Sequence, residues 1–136
     1  MKETLKPGIS TTKTYVVDEG RTVSFMGDAL RIYATPAVVA DMEYACLEFM
    51  DEHCDVHESS VGAHVDIKHM KPTPLGADVT HEITVKSVEG SQVTLDVVVS
   101  DKVEEVARIS HTRVVVDKDR LEAGVKAKIA RMKDAT

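Results

Sequence analysis

Three residues of this chain have side chains that can act on a carbonyl group if folding brings them together: Glu43, His69 and Thr35. A carboxylate can take a proton from water or attack directly. An imidazole carries protons near neutral pH. A hydroxyl beside a helix N-terminus sits where a carbonyl oxygen would be polarised. Each also has a plain structural explanation. Glu43 could be half of an ion pair, or an acid at the edge of a buried face. His69 could be a core-edge histidine bonded to a backbone carbonyl, and Thr35 an N-cap accepting a backbone N–H.

The elements that would position them can be read from pattern. Ala34 to Met50 runs ATPAVVADMEYACLEFM. Thr35 as N-cap and Pro36 at the first helical position predict a helix from here to about His53. Advancing about 100° per residue, Ala45, Val38, Phe49, Met42, Cys46, Val39, Met50, Leu47 and Ala40 share more than half the circumference. Asp41, Tyr44, Glu48, Asp51 and Glu52 take the other side. A helix this broadly apolar belongs in a core. Glu43 falls between Met50 and Leu47 as the only charge in the apolar arc. A lone carboxylate there must be paired, protonated or beside a wet cavity.

Past a polar loop, Val61, Ala63, Val65 and Ile67 alternate with polar residues and Gly62, and His69 continues that inward phase at the strand's end. One inward His and one inward Glu make a plausible acid/base unit. His81 also alternates with Val79 and Ile83 and reads as structural. His53, Cys54 and His57 have ligand chemistry, but no second motif completes a site, so no metal is expected. There is no glycine-rich phosphate loop, no G-x-S-x-G and no H-E-x-x-H.

The rest of the chain supplies one domain over residues 1–136. Thr11–Val17 and Arg21–Met26 read as short strands. Pro72-Thr73-Pro74 breaks the strand ending at His69, Glu89-Gly90 is a hairpin turn, and Val93, Leu95, Val97 and Val99 alternate cleanly. Asp101-Lys102 turns the chain into a last strand from Val103 to Val116. A charged tail follows, with Leu121, Val125 and Met132 in a thin stripe, predicting a short surface helix. Short connections make the four later strands antiparallel. The expected fold class is α+β, a curved antiparallel sheet on one long helix. With 43% hydrophobic but only 4% aromatic residues, aliphatic side chains and Met must fill the core. The net charge of −6 argues against a nucleic-acid surface. Cys46 and Cys54, about 12 Å apart if helical, cannot form a disulfide, which fits a reduced, cytoplasmic protein. No apolar run is long enough for a membrane span, and MKETLKPGIS has no signal-like core.

Four stretches together resemble the hot-dog-fold thioesterases, and among them the fluoroacetyl-CoA thioesterase-like family. They are Met42-Glu43-Tyr44-Ala45-Cys46 with Thr35 eight positions before the glutamate; Gly62-Ala63-His64-Val65-Asp66-Ile67-Lys68-His69; Pro72-Thr73-Pro74-Leu75-Gly76-Ala77-Asp78-Val79; and His111-Thr112-Arg113-Val114-Val115-Val116-Asp117. The resemblance implies a helix wrapped by an antiparallel sheet, and a homodimer with active sites near the subunit interface. It implies an acyl-CoA substrate and catalytic roles for Thr35, Glu43 and His69. Gly62 would place its backbone N–H near the thioester carbonyl, and Arg113 would lie near the site. No cofactor is implied. Two positions depart from the family pattern: Ala29 stands where a gating Phe is expected, and Thr112 where a Glu is expected. These bear on fluoroacetyl-CoA specificity more than on thioester hydrolysis.

The chemistry expected is hydrolysis of a small acyl-CoA thioester. Glu43 would serve as general base or nucleophile, His69 as proton carrier, and Thr35 with Gly62 N–H as oxyanion partners. CoA phosphates would need cations, for which Arg113 and the segment Lys126, Lys128, Arg131, Lys133 are candidates. Met42, Met50 and Leu47 would limit acyl length. The alternatives are a non-catalytic acyl-CoA-binding module, or a hot-dog acyl-CoA hydratase or dehydratase.

Overall fold

In the computed structural model, which describes residues 1–135, the chain runs β1 (Ser10–Val16), α1 (Thr35–Asp51), β2 (Glu58–His69), β3 (Asp78–Glu89), β4 (Gln92–Ser100), β5 (Glu105–Asp117) and α2 (Lys118–Asp134). The five strands form one antiparallel sheet in the order β1-β3-β4-β5-β2. β3 to β5 follow one another through short turns. Gly90 supplies the positive φ of 62° that the β3–β4 turn demands. At the β4–β5 turn the Asp101 carboxylate accepts from the Val103 and Glu104 backbone N–H groups. That leaves Val103 exposed in the turn, and β5 starts at Glu105 rather than at Val103.

The core lies between the sheet and α1. Val93, Leu95, Val97 and Val99 are all 0–1% exposed, as their alternation predicts, and meet Val38, Met42, Ala45, Cys46, Phe49 and Met50 from the helix. Both cysteines are free and buried. Cys54 lies beyond the end of α1. Among the described residues no helix is long and apolar enough to cross a membrane.

Four further expectations need correction. Arg21–Met26 is not a strand. Thr22 and Tyr33 form a bridge that closes the intervening segment, which holds the 3-10 turn Asp28–Leu30 after Gly27 at a φ of 89°; a second 3-10 turn, Glu19–Arg21, precedes it. α2 is a full helix of 17 residues, not a short one, with no buried residue. Thr35 is the first residue of α1 and not its N-cap. Ala34 holds that position, its carbonyl accepting from the Val38 N–H at 3.0 Å.

The fourth correction concerns β2. A bulge between Gly62 and His64 breaks its pairing with β5. One extra residue reverses the side-chain phase. Before the bulge, Ser60 is buried and Gly62 faces the helix, while Val61 and Ala63 are exposed; after it, Ile67 and His69 face inward as expected. The bulge is what lets an even-numbered glycine and an odd-numbered histidine serve the same side of the sheet.

Candidate active site

Thr35 and His69 are in direct contact. The hydroxyl of Thr35 lies 2.8 Å from His69 Nδ1. α1 supplies Thr35 at its first turn and β2 supplies His69 at its last residue. Freed from capping, the Thr35 hydroxyl is available to the imidazole. Burial holds the His69 pKa below the ordinary histidine value, against a smaller opposing pull from the Lys71 backbone. The ring is therefore neutral at pH 7, and Nδ1 can accept the threonine proton. Nε2 is enclosed, with no hydrogen-bond partner among the described residues. The pair opens onto a cleft of about 400 Å³ walled by Val23, Phe25, Met26 and Ile32, with Met70 and Lys71 at its other side. Phe25 is 80% exposed there.

Glu43 belongs to a second group. Its side chain is 42% exposed, so it is an acid at the edge of the helix face and not one buried within it. The reason is its neighbour: β2 is an edge strand, and on the flank of α1 beyond it Ala40 and Tyr44 are exposed. Glu43 Oε2 lies 3.6 Å from Arg113 Nη1. Arg113 itself is buried. Its Nε donates to Ser60 Oγ (2.8 Å) and its Nη2 to the Ser60 carbonyl (2.9 Å). With its guanidinium held this way, Arg113 acts on the Glu43 carboxylate and is not free to reach a CoA phosphate. A cavity of about 290 Å³ opens here between Ala40, Glu43, Tyr44, Leu47 and Arg113. Leu47 thus lines the Glu43 cavity, whereas Met42 and Met50 are spent in the core.

Gly62 lies directly against Glu43. A Cβ at position 62 would sit 2.7 Å from Glu43 Oε2 and 3.4 Å from His111 Cε1. Gly62→Ala must therefore push the carboxylate aside. The group that moves is the tip of a side chain, and Gly62 has no positive φ, so the fold should tolerate the change. Expected is a loss in kcat/KM of about 10²-fold, with Tm near wild type, in paired kinetic and thermal-melt measurements.

Within one chain the two groups stay apart. Thr35 and Glu43 are separated by eight residues of helix, about 12 Å along its axis. Pattern reading did not find the buried acid, Asp41. Although it lies on the polar arc, it is 8% exposed and accepts from Arg21 Nε (2.9 and 3.1 Å) and from the Tyr33 hydroxyl. The Tyr33 oxygen lies 3.1 Å from Nε2 of the fully buried His81, whose pKa burial pushes down to about 4. This network pins Tyr33, two residues before Thr35, and Ala34 N–H donates to the Arg21 carbonyl at 2.8 Å. It fixes the approach to the Thr35–His69 pair. His111 is the other residue that carried no assigned role; its signal was alternation, since Ala107, Ile109, His111, Arg113 and Val115 form the inward phase of β5. Among the described residues no group of three or more His, Cys, Asp or Glu is arranged to hold a metal ion. His53 instead meets the Thr4 hydroxyl at 2.8 Å.

Comparison with known proteins gives one consistent answer. The chain is 29% identical over 135 residues to a fluoroacetyl-CoA thioesterase of Streptantibioticus cattleyicolor, covering 94% of this chain and 97% of that one. A solved structure of a fluoroacetyl-CoA thioesterase superposes with a TM-score of 0.81 at 28% identity, over 91% of this chain and 97% of that one. A hot-dog-like protein of Thermanaerovibrio acidaminovorans superposes with a TM-score of 0.83 at 31% identity, over 90% and 91% of the two chains. The fold is thus the hot-dog fold. The family model described as fluoroacetyl-CoA-specific thioesterase matches residues 17–119, and the chain belongs to that family.

Proposed function

We propose that the protein is an acyl-CoA thioesterase, hydrolysing a small acyl-CoA to the free acid and CoA. The observation that carries this reading is the Thr35–His69 hydrogen bond at the mouth of an apolar-walled cleft, in a chain of this family. A non-catalytic binder needs the cleft but has no use for a neutral imidazole paired with a hydroxyl.

The working site is assembled by two copies. β2 is an open edge: Val61 to Asp66 are exposed in unbroken sequence, and Ala40 and Tyr44 extend that surface onto α1. An uncovered strand edge with apolar side chains is a pairing surface. Antiparallel pairing about a two-fold axis near Val65 exchanges the strand's ends. It lays the Gly62 end of one copy against the His69 end of the other. Glu43 and Gly62 of each chain then approach Thr35 and His69 of its partner, closing the 12 Å gap that one chain leaves (about eight helical rises).

In this site the thioester carbonyl oxygen lies against the Gly62 N–H and the Thr35 hydroxyl, whose single proton turns from His69 Nδ1 to the developing oxyanion. Glu43 takes a proton from water, or attacks the carbonyl carbon itself. The C–S bond breaks, and CoA leaves as a thiolate that needs little help. His69 relays the proton. The Thr35–His69 contact favours one variant of this scheme, in which Thr35 attacks, His69 takes its proton, and Glu43 activates the water that hydrolyses the acyl-threonine.

The test is release of free thiol from acetyl-, fluoroacetyl- and longer acyl-CoA thioesters. Turnover of the short members is expected, falling as the acyl chain lengthens. Saturable binding without thiol release across the set would overturn the reading in favour of a binding module.

A further inference from the structure

His111 is fully buried on β5, and each of its ring nitrogens holds a different part of the site. Nδ1–H donates to the His64 carbonyl at 2.8 Å. That carbonyl immediately follows the bulge in β2, the device that turns both Gly62 and His69 toward the helix. Nε2 lies 3.2 Å from Arg113 Nη1 and accepts from it. Nη1 is the same atom that faces Glu43, at 3.6 Å. Nε and one N–H of Nη2 go to Ser60, so the planar guanidinium is held by Ser60 on one side and by His111 at Nη1, the side that faces Glu43. The ring's Cε1 also packs beneath Gly62, 3.4 Å from where a Cβ would stand.

We infer that His111 is a positioning residue for the Glu43 half of the site: its neutral, Nδ1-protonated imidazole locks the β2 bulge and aims the Arg113 guanidinium at the Glu43 carboxylate. This rests on the proposed thioesterase reading for its kinetic consequence, but not for its structural one. The imidazole can play both parts only as the Nδ1–H tautomer, because a proton on Nε2 would confront the arginine with a second donor. A core histidine filling space would have no such requirement.

The experiment compares wild type with His111→Phe, which keeps the volume and loses both bonds, and with His111→Gln, whose amide oxygen reaches toward the Nε2 position and restores an acceptor for Arg113. Crystal structures and nitrogen-15 NMR of the histidine rings are read alongside kinetics. The inference expects His111 to be neutral and protonated on Nδ1. In His111→Phe it expects Arg113 Nη1 to turn away from Glu43, with kcat lowered about 10- to 100-fold and KM within about two-fold. His111→Gln should recover a substantial part of that loss at a Tm no higher than that of the Phe variant. An Nε2-protonated ring, or an Arg113–Glu43 contact unchanged in His111→Phe, overturns the inference whether or not the protein hydrolyses thioesters. Wild type without turnover would instead fail the thioesterase reading, and the tautomer and Arg113 geometry would still decide the role of His111.

Discussion

His69→Ala is expected to lower kcat for thioester hydrolysis by about 10²- to 10⁴-fold, the range a positioned general acid–base group contributes. The loss should fall on kcat, because His69 presents a polar ring to the cleft while Val23, Phe25, Met26 and Ile32 supply its apolar wall. Thr35→Ala should reproduce much of it, since the hydroxyl is the one partner of Nδ1. Thr35→Ser keeps that hydroxyl and should retain most activity. The pH profile carries the same signature. Burial lowers the His69 pKa, so the ring is neutral at pH 7 and gains a proton only as the pH falls. Activity should therefore be flat near neutrality and drop on the acid side, with a midpoint below about 6.5, the ordinary histidine value. His69→Ala should lack that acid limb in whatever activity remains.

Glu43→Gln is expected to cost about 10³-fold in kcat while leaving the fold nearly untouched. The amide is isosteric but can neither take a proton from water nor attack a carbonyl. Its structural cost is bounded by geometry. The Arg113 contact is long, at 3.6 Å, and the carboxylate is 42% exposed, so screening discounts the pair to about 1 kcal/mol or less. Arg113 keeps its Ser60 and His111 partners when the carboxylate is gone. A large kinetic effect beside a small shift in denaturation midpoint separates a chemical role from a structural ion pair. Were Glu43 only half of an ion pair, Gln would lower stability and leave turnover alone.

How far these residues could be read in advance depends on the range of the interaction that places them. The strict alternation of β4 and the apolar arc of α1 are local patterns set by burial on one face; the first survives whole, and the second survives at Val38, Met42, Ala45, Cys46, Phe49 and Met50 while Ala40 is exposed. Glu43 was legible as an odd charge on that arc. Its exposure was not, because it depends on β2 ending the sheet, a fact of topology. Val61 and Ala63 were misplaced because one extra residue in β2 reverses the phase; Gly62, an isolated glycine inside the strand pattern, is the local sign of that bulge. The role of Thr35 changed for a longer-range reason: as a local signal Thr-Pro reads as a cap, but His69, 34 positions away, claims the hydroxyl. Asp41 looked solvent-facing until Arg21, Tyr33 and His81 closed around it from three separate segments. His111 lay in plain alternation with Arg113 on β5, a local signal that was passed over although Arg113 itself was read as a site residue.

Complementation between defective subunits tests the central claim most directly. Glu43→Gln and His69→Ala proteins are each prepared, unfolded, mixed in equal amounts, refolded together and assayed for thiol release from the preferred short acyl-CoA. If a site takes Thr35 and His69 from one chain and Glu43 from the other, each mixed dimer contains one site with both defects and one with neither. Statistical mixing then restores about a quarter of wild-type activity from two parents that are each nearly inactive. Activity in the mixture no greater than the mean of its parents, with mixed dimers shown to be present, would contradict a site shared in this way.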